Sequence, residues 1–319
     1  MNSAAGTDGD PAAEAPGLVD AHQHFWDLAA HDQPWLRRPG NEPLLRNFTE
    51  AELRPLAAAA GVTATVVVQT IAEPGETPDL LALAGESDLV AGVVGWVDLQ
   101  APDVADALAA LQDRPDGGYL RGIRHPVLIE PDPDWLRRPA VHQGLTAAGV
   151  AGLCYDLVLP SQVLPAAADA VAASPDVIFV LDHLGNPELT ERPDEAWVAS
   201  IRQLATFPNA CCKLSGILGE PPSVAGATGR PGGGGRPGGG GQPGGGGAAG
   251  VAHLVPYYET VLDAFGPDRL MFGSDWPPCT LSASYGSVVA AALELTASLS
   301  PAERASVLGG TARRIYRLT

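Results

Sequence analysis

The stretch VIFVLDHLGNP, residues 177–187, is a continuous apolar run that stops abruptly at Asp182 and His183 and then turns through glycine. A strand with one wet face alternates apolar and polar residues. An unbroken run of this length reads instead as a strand of a parallel sheet covered on both sides. Polar residues at the carboxyl end of such a strand are placed where parallel α/β folds carry their chemistry.

The same unit recurs along the chain. Strands are expected at 18–24, 63–70, 90–98, 120–126, 152–159, 177–183, 210–215 and 269–275. Between them lie amphipathic runs with 3.6-residue spacing, such as DVADALAALQD, EAWVASIRQLATF and LVPYYETVLDAFG. Thr49 and Glu52 offer a capping box ahead of LRPLAAAAG. Eight such units in 319 residues predict an α/β fold of the (β/α)8 TIM-barrel type in a single domain spanning 17–319. A doubly wound open sheet is the competing architecture, but no G-x-G-x-x-G follows any strand.

Composition excludes several classes. Apolar residues make up 45% of the chain, yet the longest such segment, LVAGVVGWVDL at 89–99, is too short to span a membrane. The formal net charge is −18, and no basic stripe exists to neutralise nucleic-acid phosphates. Residues 1–16 lack the basic and apolar parts of a secretory signal and read as a disordered tail. The four cysteines show no C-x-x-C spacing, which fits reduced thiols in a cytoplasmic protein. A repeated RPGGGG motif breaks the alternation within about 222–250, where a flexible insertion is expected. Nothing in the sequence specifies an oligomeric state.

Chemistry gathers at the strand ends. The first carries His22 and His24 in LVDAHQHFWD, with Trp26 beyond; the fourth carries Arg124 and His125 in GIRHP. LCYDLVLP offers Tyr155 and Asp156, CCKLSG offers Lys213 (the only lysine), and LMFGSDWPP offers Asp275 and Trp276. Convergent histidines bind a metal or donate hydrogen bonds to a substrate oxygen.

HQHFWD, GIRHP, LDHLGNP, KLSG and GPDRLMFGSDWP stand in the order and spacing of the amidohydrolase superfamily. The chain most resembles its branch of L-fuconolactonase-like sugar-lactone and dicarboxylate-lactone hydrolases, from about Leu18 to the closing RRIYRL. The resemblance implies a distorted (β/α)8 barrel and hydrolysis of a small-molecule lactone, with a sugar aldonolactone first in expectation. It implies His22, His24, His183 and Asp275 as the catalytic group. Asp275 is the base, and the same four residues ligate one divalent ion, Zn²⁺, in members that use a metal. Arg124, His125, Tyr155, Asp156, Lys213, Trp26 and Trp276 are the expected substrate contacts. Lys213 lies too late in the chain to serve as the bridging lysine of a two-metal site, so at most one ion is expected. A metal-dependent decarboxylase of the same superfamily and a non-catalytic binding barrel are the alternatives.

Overall fold

Strand and helix alternate eight times in the computed structural model, which describes residues 17–216 and 251–319. The expected tail (1–16) and glycine-rich insertion (222–250) lie outside the described residues. The pairs are β1 (Leu18–Gln23) with α1 (Glu50–Ala59), β2 (Val62–Val68) with α2 (Glu76–Glu86), β3 (Val90–Gly95) with α3 (Val104–Gln112), and β4 (Leu120–Pro126) with α4 (Pro139–Val150). They continue with β5 (Cys154–Val158) and α5 (Leu164–Ala173), β6 (Phe179–Leu181) and α6 (Glu195–Ala205), β7 (Ala210–Leu214) and α7 (Val255–Phe265), then β8 (Leu270–Phe272) and α8 (Tyr285–Leu295). Two short helices, α9 (Pro301–Ala305) and α10 (Thr311–Ile315), end the chain.

Neighbouring strands pair in parallel, and their spatial order is the chain order. The ring closes just past β8, where Asp275 N–H donates to His22 O at 2.8 Å and His24 N–H donates to Trp276 O at 2.7 Å. The result is a distorted (β/α)8 barrel in one domain. Strands β6 and β8 are shorter than the expected spans 177–183 and 269–275, and the chain leaves the sheet after Leu181 and Phe272. The interior is packed with small side chains, among them Val19, Ala21, Ala64, Val66, Val180 and Cys211. Ala312, Ile315 and Tyr316 belong to the same cluster and close it at the amino ends of the strands. A packed floor leaves only the carboxyl-end rim open to chemistry.

One local expectation is corrected. Helix α1 starts after Thr49, but the Thr49 side chain makes no capping bond. Glu52 instead pairs with Arg46 at 2.7 Å. The capping box that forms is at Ser300 and Glu303, ahead of α9. Among the described residues no helix is long and apolar enough to cross a membrane.

Candidate active site

The two histidines of β1 reach one site by way of a β-bulge. Asp20 pairs with Thr65 and Gln23 with Val67, so three steps along β1 match two along β2. The extra residue leaves Asp20 and Gln23 outside the barrel, bonded to Ser274 and Thr65 respectively, while His22 and His24 both turn into the rim. Their Nε2 atoms lie 3.1 Å apart. His24 Nδ1 donates to the Val68 carbonyl at 2.7 Å, which leaves its Nε2 as a lone pair facing the site.

His183 and Asp275 complete the rim, and both hold left-handed backbone, with φ of 54° and 58°. Non-glycine residues rarely accept this conformation, which costs on the order of 1–3 kcal/mol and clusters at functional sites. The His183 ring lies 4.6 Å from the His22 ring and is braced through Nδ1 by the Ser215 hydroxyl at 2.9 Å. A Cβ at Gly216 (φ 74°) would fall 2.5 Å from His183 Nδ1, so glycine there makes room for the ring. Asp275 Oδ1 lies 3.3 Å from His24 Nε2 and 3.7 Å from His22 Nε2. Burial disfavours its charge, but His183, His24 and His22 outweigh that and hold the carboxyl well below the usual carboxylate range. Burial likewise depresses His22 and His183, against the pull of Asp182 on the first and Asp275 on the second. The resting site is an anionic carboxylate beside the neutral imidazoles of His22 and His183.

Beneath this rim lies a buried charge network. Lys213 Nζ is 2.6 Å from Asp156 Oδ2, 3.1 Å from Asp182 Oδ1 and 3.1 Å from His22 Nδ1. Arg124 donates to Asp182 Oδ2 at 3.1 Å and to the Gln69 carbonyl. Tyr316 O–H reaches both oxygens of Asp156, at 2.9 and 2.8 Å, from the barrel floor. Burial opposes the charge on Asp182, but Lys213 and His22 hold its carboxyl well below the ordinary value.

Several expected substrate contacts are placed elsewhere. Arg124 and Asp156 are register partners and both face inward, so their neighbours His125 and Tyr155 must face outward, toward the helices. His125 accepts from Trp96 Nε1 at 3.0 Å, meets Glu130 at 2.8 Å and stacks on Trp135. Tyr155 packs on Phe179. Lys213 and Asp156 face inward and are wholly buried, with Lys213 on the Nδ1 side of His22 and His24 on its Nε2 side. Trp26 gives its N–H to Arg46 O at 2.6 Å and packs on Phe48 and Trp35; Trp276 packs edge-on to Phe48 and Phe25. These rings tie the loops after β1 and β8 together rather than forming an open pocket wall. His22, His24, His183, Asp275 and Arg124 are the expected residues that converge. Sequence reasoning missed Asp20 and Tyr316, and it placed Asp182 at the end of the sixth strand without giving it a role in the site.

The donor set fits a divalent ion. His22, His24 and Asp275 each offer one ligand atom within 4.8 Å of the others, as do His22, Asp182 and His183. The spacings of 3.1, 3.3 and 3.7 Å in the first set resemble the edge of a tetrahedron with bonds of about 2.1 Å, roughly 3.4 Å.

The chain is similar to known proteins along almost its whole length. The family profile for amidohydrolases (Amidohydro_2) matches residues 19–318. An L-fucono-1,5-lactonase of Burkholderia multivorans is 39% identical over 311 residues, covering 94% of this chain and 96% of its own. One of Burkholderia ambifaria is 34% identical over 304 residues, covering 94% and 95%. The crystal structure of an amidohydrolase from Burkholderia multivorans with bound zinc superimposes with a TM-score of 0.82 at 35% identity, covering 95% of this chain and 99% of that one. Matched along almost its whole barrel, the chain belongs to the amidohydrolase family.

Proposed function

We propose that the protein opens a small sugar lactone, with L-fucono-1,5-lactone, the compound in the name of the two Burkholderia relatives, as the first candidate. The observation that carries this reading is the Asp275 carboxylate, held ionised among three imidazoles at the strand-end rim. Ester opening needs a water that loses a proton as it attacks, a stabilised acyl oxygen, and a proton for the departing alkoxide. Asp275 takes the proton of the attacking water and returns it to the ring oxygen when the C–O bond breaks. The imidazoles of His22 and His183, with Arg124 behind them, face the oxygen on which negative charge develops. His22, His24 and Asp275 would hold a divalent ion, with His183 beside them, and that ion would act as a Lewis acid toward the acyl oxygen.

The test is a panel of aldono- and dicarboxylate lactones followed with a pH indicator, since each opening yields an ionised acid. Wild-type protein is expected to acidify the medium with at least one lactone. Asp275→Asn, which keeps the size of the side chain, is expected to lose about 10²- to 10⁴-fold in rate. An Asn variant as fast as wild type would sink this mechanism. Release of CO₂ from carboxylic acids without lactone opening would favour the decarboxylase reading, and silence toward both would favour a binding barrel.

A further inference from the structure

Gln69 follows the last residue of β2 and is wholly buried. An amide side chain offers donors and an acceptor together. Among the described residues its side chain bonds to Arg124 alone, and the pairing is reciprocal. Gln69 Nε2 donates to Arg124 O at 3.0 Å, while Arg124 Nη2 donates to Gln69 O and lies 3.5 Å from Gln69 Oε1. This contact crosses β3, which stands between β2 and β4 in the sheet. Strand β3 stops pairing with β4 at Gly95 and Ile123, and the next carbonyl, Arg124 O, takes its hydrogen bond from the Gln69 amide instead. The backbone at Gln69 is itself held. Its N–H donates to Val94 O at 2.8 Å, and the N–H groups of Thr70 and Ile71 donate to the buried Glu76 carboxylate at 2.9 and 3.1 Å.

The far side of the guanidinium reaches the rim. Arg124 Nη1 donates to Asp182 Oδ2 at 3.1 Å and lies 3.5 Å from His22 Nε2. Asp182 also faces Lys213, 3.1 Å from its Oδ1, so this shared ion pair alone does not fix the plane of the guanidinium. Two points of attachment do, Nη1 on Asp182 and Nη2 on Gln69. We propose that Gln69 is a positioning residue that holds the Arg124 guanidinium between the end of β2 and Asp182, and so keeps a fixed positive charge beside the His22 ring. Gln69 acts through Arg124, since it makes no hydrogen bond to His22, His24, His183 or Asp275 among the described residues. A charge fixed before the reaction stabilises developing negative charge without reorganisation. The consequence for rate rests on the lactone-hydrolase reading; the placement of Arg124 does not.

The experiment uses full-length protein labelled with ¹⁵N-arginine, with Arg124 assigned from the signal lost in Arg124→Lys. In the wild type, separate Arg124 Nη resonances are expected at low temperature, because the guanidinium is held from both sides. Gln69→Met keeps the length of the side chain without its amide, and is expected to speed exchange between those resonances about 10-fold, the factor that one ordinary hydrogen bond supplies. On an accepted lactone, kcat is expected to fall about 10-fold in Gln69→Met, with KM changed by less than about threefold. In an Arg124→Lys background the same substitution is expected to change kcat by less than about twofold, since nothing is left for Gln69 to position. Freely averaged Arg124 Nη resonances in the wild type would overturn the proposal. So would a folded Gln69→Met with the wild-type exchange rate, or equal losses of kcat from Gln69→Met in both backgrounds. Should Gln69→Met not fold, Gln69→Asn carries the amide one methylene short of Arg124 and is read against the same outcomes. If wild-type protein opens no lactone, the lactonase reading falls, while the Arg124 resonances still decide this proposal.

Discussion

Asp275 and His183 hold the rim together at the level of single residues, each on left-handed backbone and each shifted toward the form a base catalyst needs. Acid must protonate the carboxylate or an imidazole before the site is lost, and both sit below their ordinary values. The acidic limb of kcat/KM is therefore expected below the ordinary histidine value of about 6.5. A pH–rate profile on any accepted lactone checks this, and an acidic limb above neutrality would contradict it. H-x-H and LDHLG were readable in sequence because each motif keeps its residues within a few positions of one another. The outward turn of His125 and Tyr155 was not, because strand parity is set by the register that pairs Arg124 with Asp156.

At the level of elements, the seam between β8 and β1 carries the site, since His22, His24 and Asp275 lie on its two sides. Asp20 fastens it: its carboxylate accepts from Ser274 N–H at 2.7 Å, the Ser274 hydroxyl at 2.6 Å, the Tyr285 hydroxyl at 3.2 Å and His22 N–H at 3.2 Å. Asp20→Ala strands several of these buried donors and is expected to destabilise the fold by about 2 kcal/mol or more. Urea unfolding monitored by tryptophan fluorescence measures it, and an unchanged midpoint would show that the seam is held by other groups. All eight strands were legible, most of them as apolar runs, but the bulge in β1 was not. It adds one residue to a strand without any glycine or proline to announce it.

For the whole molecule, the last residues act as the floor of the barrel. Ala312, Ile315 and Tyr316 pack into the interior cluster, and Cys154 Sγ donates to Ile315 O at 3.3 Å. Ending the chain after Gly310 removes these side chains, each worth up to about 1.5–3 kcal/mol when buried, and uncovers the interior. That truncation is expected to abolish cooperative thermal unfolding, measured by circular dichroism; a cooperative transition at the wild-type temperature would contradict the floor assignment. By itself the sequence determined the barrel and pointed to His22, His24, His183 and Asp275, since apolar runs, six strand ends carrying polar residues and a few compact motifs are local patterns. Tertiary structure alone decided which polar residues meet at the strand-end rim and which lie in the buried network beneath it. Lys213 meets His22 across 191 positions, and Tyr316 meets Asp156 across 160. Such contacts exist only once the sheet has closed on itself and the chain end has crossed its floor.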